Sequence, residues 1–231
     1  MTQAASEFKL RNAGFKDTLV LVPGWAADHR VFSALRPGYN LILPERLCFL
    51  SFHDALLGFL KANSIKKVSL FGWSLGGFLA TEFALKFPEK TGQLILISIR
   101  KKYPDAELQE IRKKILKNRT AFLYKFYLSC FSEKDKDGLA WFKKNLLKPY
   151  LREMGTDYLL KGLDYLSRVS IDKKLGNLPG VQIFHGIRDR IAPIKEIEEL
   201  MPQLKNAEFT LIESGHLPFL SRDFPDISCD G

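Results

Sequence analysis

Cysteine is scarce in this chain: three residues among 231, Cys48, Cys130 and Cys229. An odd number without the close pairs of a zinc site argues against a disulfide framework and against a structural metal, and leaves reduced thiols as the expectation. No apolar run approaches the roughly 20 residues needed to span a bilayer. The first fifteen residues also lack the charged start and continuous apolar stretch of a secretory leader, so a cytoplasmic protein without a membrane role is expected. Internal repeats and low-complexity tracts are missing too, which excludes solenoids and disordered linkers. What remains is a chain that is 46% hydrophobic, enough for one buried core.

Strand-like and helix-like segments alternate through the first hundred residues. Leu19 to Val22, Asn40 to Leu43, Val68 to Phe71 and Leu94 to Ser98 read as strands, with helices expected near 28–35, 52–63 and after residue 74. From 100 to about 174 only helical stretches appear, before strands resume at Val181 to Gly186 and Phe209 to Ile212. The pattern predicts an α/β fold with a mostly parallel sheet, helices on both faces and an inserted helical lid. The core is then 1–99 with 175–231, and the lid is 100–174.

One motif carries chemistry. Val68-Ser69-Leu70-Phe71 runs into Gly72-Trp73-Ser74-Leu75-Gly76, a Gly-x-Ser-x-Gly turn that opens into a helix marked by Phe78, Leu79, Phe83, Ala84 and Phe87 and stopped by Pro88. Such a strand-turn-helix forces the serine into a strained conformation that only flanking glycines accommodate, and it makes Ser74 the candidate nucleophile. A glycine-rich turn with a bystander serine is the plainer alternative.

Serine is a weak nucleophile and needs a base, itself oriented by a third group. His216 follows the last strand in Glu213-Ser214-Gly215-His216-Leu217-Pro218, and Asp189 follows the strand before it in Ile187-Arg188-Asp189-Arg190. Both therefore sit on loops beyond strand ends, as Ser74 does. Asp189 could instead be a surface acid paired with Arg188 or Arg190. His29, His53 and His185 fit the base role less well, since none follows the last strand. Asp157 and Asp164 fall within the helical stretch, the wrong place for the acid. A tetrahedral oxyanion would be held by the amides of Leu75 and of the loop after the first strand, at Trp25. Trp25 and Trp73 narrow the mouth of such a site, or are simply core aromatics.

Charge is unevenly distributed. Residues 100–174 hold 19 Lys and Arg against 10 Asp and Glu, a surplus that equals the whole chain's +9. A positive cover attracts anionic partners in a salt-dependent way, although a merely solvated basic face has the same composition. Phe122-Leu123-Tyr124-Lys125-Phe126-Tyr127 has the aromatic interleaving of a base-stacking surface. Its spacing better suits a helix whose apolar face roofs a pocket, and no nucleic-acid docking motif accompanies it.

Gly24-Trp25, Gly72-Trp73-Ser74-Leu75-Gly76-Gly77 and Gly215-His216-Leu217-Pro218-Phe219 together resemble the α/β-hydrolase superfamily across nearly the whole chain. The serine, aspartate, histidine order is also that of the superfamily. Within it, the tryptophans beside Gly24 and Ser74 resemble those of the pimeloyl-acyl-carrier-protein methyl ester esterases of biotin synthesis. That resemblance implies a carboxylic-ester hydrolase that uses no metal or organic cofactor. It also implies a lid that engages the acidic acyl carrier protein: Phe126 matches an aromatic lining the acyl channel, and Arg119, Lys125, Lys143 and Lys144 lie near the family's carrier-binding arginines. Lysine offers a point charge where arginine offers a fork. The sequence departs from the family at Pro23, where a histidine is usual, and at Pro44-Glu45-Arg46-Leu47-Cys48, where a glycine-rich turn is usual. The stretch from Leu217 to Gly231 is expected to be too short for the usual closing helix. A broad esterase or thioesterase, or a non-catalytic carrier-binding protein on the same fold, are the other functions these features allow.

Overall fold

A computed structural model describes residues 7–171, 175–176, 178 and 180–227. Its strands are β1 (Glu7–Arg11), β2 (Thr18–Val22), β3 (Asn40–Arg46), β4 (Val68–Trp73), β5 (Thr91–Ile97), β6 (Val181–Gly186) and β7 (Ala207–Ile212). They form one sheet in the order β1-β3-β2-β4-β5-β6-β7. Only β1 runs antiparallel, against β3. The other pairs are parallel, as the strand-helix alternation predicts. Leu19 to Val22 and Leu94 to Ile97 are buried on both faces, which is why they read as unbroken apolar runs. β1 is an edge strand with alternately exposed residues, and that weak pattern hid it from the sequence reading.

Helices α1 (Phe52–Ala62) and α2 (Leu75–Lys86) follow β3 and β4. Most of α2 is buried, including Phe78, Leu79 and Phe83. The helix expected near 28–35 is only a 3-10 turn, His29–Phe32. Asp28 caps it through the Arg30 N–H, Ala26 ahead of it is left-handed, and Pro37-Gly38 follows, so there is no room for a longer helix.

Between β5 and β6 the chain forms α3 (Asp105–Ser129), α4 (Lys136–Phe142), a π-helical turn at Lys143–Leu147, α5 (Lys148–Glu153) and α6 (Thr156–Leu166). α3 is broken at Asn118, whose φ of −161° and ψ of 90° leave the helix. The Asn118 side chain restarts it by accepting the Ala121 N–H at 2.9 Å. α7 (Ile194–Leu200) begins directly after Pro193. Among the described C-terminal residues the only helical turn is Pro218–Leu220. Phe219 and Phe224 provide cover there, their rings packing on Phe71. The boundary expected at 174, Cys229 and the first six residues lie outside the described residues. No helix among the described residues is long and apolar enough to cross a membrane.

Candidate active site

β4 ends against α2 in a turn that puts Ser74 at φ 54° and ψ −118°. Close approach explains the flanking glycines: a Cβ on Gly76 would lie 2.2 Å from the Val22 carbonyl, and one on Gly72 would lie 2.6 Å from the Gly76 carbonyl. Ala26 and Ser98, just beyond β2 and β5, are also left-handed, so backbone strain gathers at this end of the sheet.

Ser74 Oγ is 3.0 Å from His216 Nε2. On the other side of the ring, Nδ1–H donates to Asp189 Oδ2 at 2.7 Å. The second carboxylate oxygen accepts the Ile191 and Ala192 amides at 2.8 and 2.9 Å. All three side chains are buried. Burial alone would raise the Asp189 pKa. The His216 charge and hydrogen bond, with His185 and the Ala192 amide, outweigh it and hold the carboxyl below its ordinary value. Asp189 is therefore not the surface acid that its arginine neighbours suggested. Arg188 pairs with Glu133 and Glu213 instead.

The other histidines and acids that the sequence offered have partners other than Ser74 and His216. His29 meets the Pro44 carbonyl, His53 the Leu79 carbonyl and His185 the Ala192 carbonyl. Asp157 pairs with Lys161, and Asp164 with Arg112.

Ser74 opens into a cleft of about 630 Å³. Its walls are largely apolar, with Trp25, Ile111, Phe122, Phe126 and Leu163 among them, and Lys114, Lys117 and Lys125 also line it. Phe126 stands with its ring centroid 5.0 Å from that of Trp25, edge to face. The Trp25 indole donates to the Leu159 carbonyl at 2.9 Å, tying the first loop to α6. Trp73 does not narrow the mouth. Its indole donates to the His216 carbonyl at 2.8 Å, so it buttresses the histidine loop from within the core. Leu75 is fully buried as the first residue of α2. The Gly24 backbone abuts the serine, since a Cβ there would lie 3.2 Å from Ser74 Cβ.

The basic residues of the helical insertion divide. Arg119 turns inward and donates to the Met154 and Leu151 carbonyls at 2.7 and 3.2 Å. Lys125, Lys143 and Lys144 are exposed, and only Lys125 lines the serine cleft.

Sequence reasoning missed two residues. Tyr103, in the loop after β5, brings its hydroxyl within 3.5 Å of Ser74 Oγ. Arg100 lies over the Tyr103 ring, 4.5 Å from its centroid. A buried polar residue a few positions beyond a strand's carboxyl end was the available signal, because open α/β sheets build their sites there.

A mostly parallel sheet whose carboxyl edge gathers a strained serine, a histidine and an aspartate defines an α/β hydrolase. Residues 31–223 match the family model described as alpha/beta hydrolase fold, and the chain belongs to that family. It is 27% identical to the pimeloyl-[acyl-carrier protein] methyl ester esterase of Nitrosomonas europaea, over 95% of this chain and 96% of that one. It is 29% identical to the protein of the same name from Wigglesworthia glossinidia brevipalpis, over 89% of each chain. Among solved structures, a thermophilic esterase from Thermogutta terrifontis superposes with a TM-score of 0.78 at 21% identity, covering 93% of this chain and 87% of that one. A bromoperoxidase from Bacillus anthracis also reaches 0.78, at 18% identity, covering 92% and 89%.

Proposed function

We propose that the protein is a serine carboxylic-ester hydrolase acting on the methyl ester of pimeloyl-[acyl-carrier protein]. The observation that carries the hydrolase reading is the unbroken contact from Ser74 Oγ through the His216 ring to Asp189. Ser74 attacks the ester carbonyl while His216 Nε2 takes its proton. The ionised Asp189 keeps Nδ1 protonated and stabilises the imidazolium. The amides of Leu75 and Trp25 receive the oxyanion, each such donor contributing about 3 kcal/mol to the transition state. His216 returns the proton to the departing methanol, and water then cleaves the acyl-enzyme by the same steps in reverse. No cofactor takes part.

Residues 100–174 act as the lid, and Phe126 lines the acyl channel. The partner is an acidic acyl carrier protein drawn to the basic lid. Lys125, Lys143 and Lys144 are the carrier contacts, whereas Arg119, occupied by lid carbonyls, serves the carrier surface less directly. Likeness to relatives that bear the esterase name over most of their length supports the substrate.

A serine-directed fluorophosphonate is expected to label the wild type and not Ser74→Ala. Failure to label the folded wild type removes the hydrolase reading. The carrier-linked methyl ester is then compared with a free short-chain methyl ester. The expected result is at least a roughly tenfold higher kcat/KM for the carrier form at low salt, shrinking as salt rises. Equal values at all salt concentrations leave a broad esterase or thioesterase.

A further inference from the structure

We propose that Tyr103 is a fourth catalytic side chain, whose hydroxyl donates a hydrogen bond to the alkoxy oxygen of the ester as the bond from that oxygen to the carbonyl carbon breaks. The inference rests on Ser74 being the nucleophile. Its starting point is the 3.5 Å between Tyr103 Oη and Ser74 Oγ, in the same cleft.

The position of that hydroxyl is fixed from several sides. Arg100 covers one part of the ring and the Phe78 ring lies 6.3 Å away, centroid to centroid. Arg100 is itself buried and held by both oxygens of Glu107 at 3.0 Å, by Glu196 at 2.7 and 3.0 Å and by the Ile191 carbonyl at 3.2 Å. Those anchors come from α3, from α7 and from the loop that carries Asp189. Burial pushes the phenol's pKa up, against smaller opposing effects of Ser74 and Arg100, so Tyr103 remains a donor and keeps its own proton.

Sheet order decides which substrate atom it meets. The loop after β2, with Trp25, flanks β4 on one side, and the loop after β5, with Tyr103, flanks it on the other. When Oγ bonds to the carbonyl carbon, three substituents remain on that carbon. The oxyanion faces the Trp25 and Leu75 amides, and the acyl carbon accepts no hydrogen bond. The alkoxy oxygen is the remaining acceptor, two bonds from Oγ and so within reach of a hydroxyl 3.5 Å from it. In the step itself the carbon-oxygen bond breaks with its electron pair going to the alkoxy oxygen. The His216 Nε2 proton moves to that oxygen, the carbonyl reforms on the Ser74 ester, and Tyr103 eases the charge without transferring a proton.

Such a donor matters most for a poor leaving group. The test compares Tyr103→Phe with wild type on a methyl ester and a p-nitrophenyl ester of the same acyl group, using kcat/KM, which reports acylation. Phenylalanine keeps the ring and its stack on Arg100. We expect a loss of about 50-fold on the methyl ester and only about threefold on the p-nitrophenyl ester. Fluorophosphonate labelling, which also expels a good leaving group, falls no more than the p-nitrophenyl reaction. Equal losses on the two esters, no loss on the methyl ester, or labelling slowed as much as methyl ester hydrolysis would each overturn the assignment. A wild type that labels and hydrolyses neither ester overturns the hydrolase reading, and the role of Tyr103 with it.

Discussion

Asp135 Oδ2 accepts the Gly215 N–H at 2.8 Å, so the turn between α3 and α4 holds the loop on which His216 stands. The same oxygen accepts the Ser132 amide and hydroxyl at 2.6 and 2.8 Å. One turn away, the Cys130 carbonyl accepts the His216 N–H at 2.7 Å. A Cβ on Gly215 would lie 2.6 Å from that carbonyl, so the two segments meet backbone to backbone. Asp135→Ala leaves the Gly215 N–H buried without its acceptor, a cost of about 1–3 kcal/mol. Loss of precise histidine placement is expected to lower kcat by about 10- to 100-fold with little change in KM. Rates normalised to folded protein, followed by circular dichroism, check this. Normalised rates equal to wild type would mean that the turn merely stabilises the fold.

The proposed mechanism makes Ser74 and Asp189 unequal under substitution. Ser74→Ala removes the proposed nucleophile and is expected to lower kcat by about a millionfold. Asp189→Asn keeps the shape of the buried side chain but offers His216 Nδ1 an amide. The preferred tautomer then reverses, and kcat falls by about 10⁴. Single-turnover hydrolysis of a p-nitrophenyl ester measures both. Losses below about tenfold in either variant would place the chemistry elsewhere.

Two glycines should respond oppositely to alanine. At Gly76 the added carbon meets the Val22 and Pro23 carbonyls at 2.2 and 2.7 Å, and neither backbone oxygen can move without opening β2 from α2. Gly76→Ala is expected to cost about 3 kcal/mol or more, or to yield no soluble protein. Gly58 is exposed within α1 with nothing within 4 Å of its Cβ position, so Gly58→Ala should stabilise by about 0.5–1 kcal/mol. Urea denaturation distinguishes the two. A stable Gly76→Ala would show that the turn has slack the distances do not suggest.

Why these features differed in legibility follows from how each is written in the chain. Gly72, Ser74 and Gly76 alternate along one short stretch, so the turn shows directly in the sequence even though the Val22 carbonyl that crowds Gly76 does not. Asp189 and His216 stand out because each follows an apolar strand, and strand ends can be read without knowing which strands pair. Tyr103 and Asp135 reach their partners across long stretches of chain, and a place shortly after β5 is the one mark that the sequence gives Tyr103. Only strand order brings Tyr103 beside Ser74, and only the packing of the turn between α3 and α4 brings Asp135 to Gly215. Trp73 shows the same limit: its place beside Ser74 suggested a pocket residue, but residues alternate sides at a strand end and its indole turns to the His216 carbonyl.

Acid should unfold the protein earlier than its carboxylates alone would dictate, because two histidines are kept neutral in the fold. His185 is fully buried, donates Nε2–H to the Ala192 carbonyl at 2.8 Å, and has Nδ1 buried without a protein partner. Burial lowers its pKa below the ordinary 6.5, despite the opposing charge of Asp189 and the Ala192 bond. His53 is shifted the same way, again chiefly by burial, with Glu82 opposing. Below pH 6.5 the unfolded chain therefore binds protons that the folded chain refuses. Stability from these groups is fully present above that pH and declines as pH falls toward the lowered folded values. Each histidine contributes a slope of at most about 1.4 kcal/mol per pH unit. Asp189 has the same sign, but its contribution is lost only below its ordinary 3.8, so it is silent in this window. Thermal melts between pH 7.5 and 5.5 are expected to show a falling midpoint, and His185→Gln should flatten the trend whatever it does to the midpoint itself. An undiminished slope in His185→Gln would mean that the buried ring takes up its proton without resistance, and that the decline belongs to His53 or to other groups.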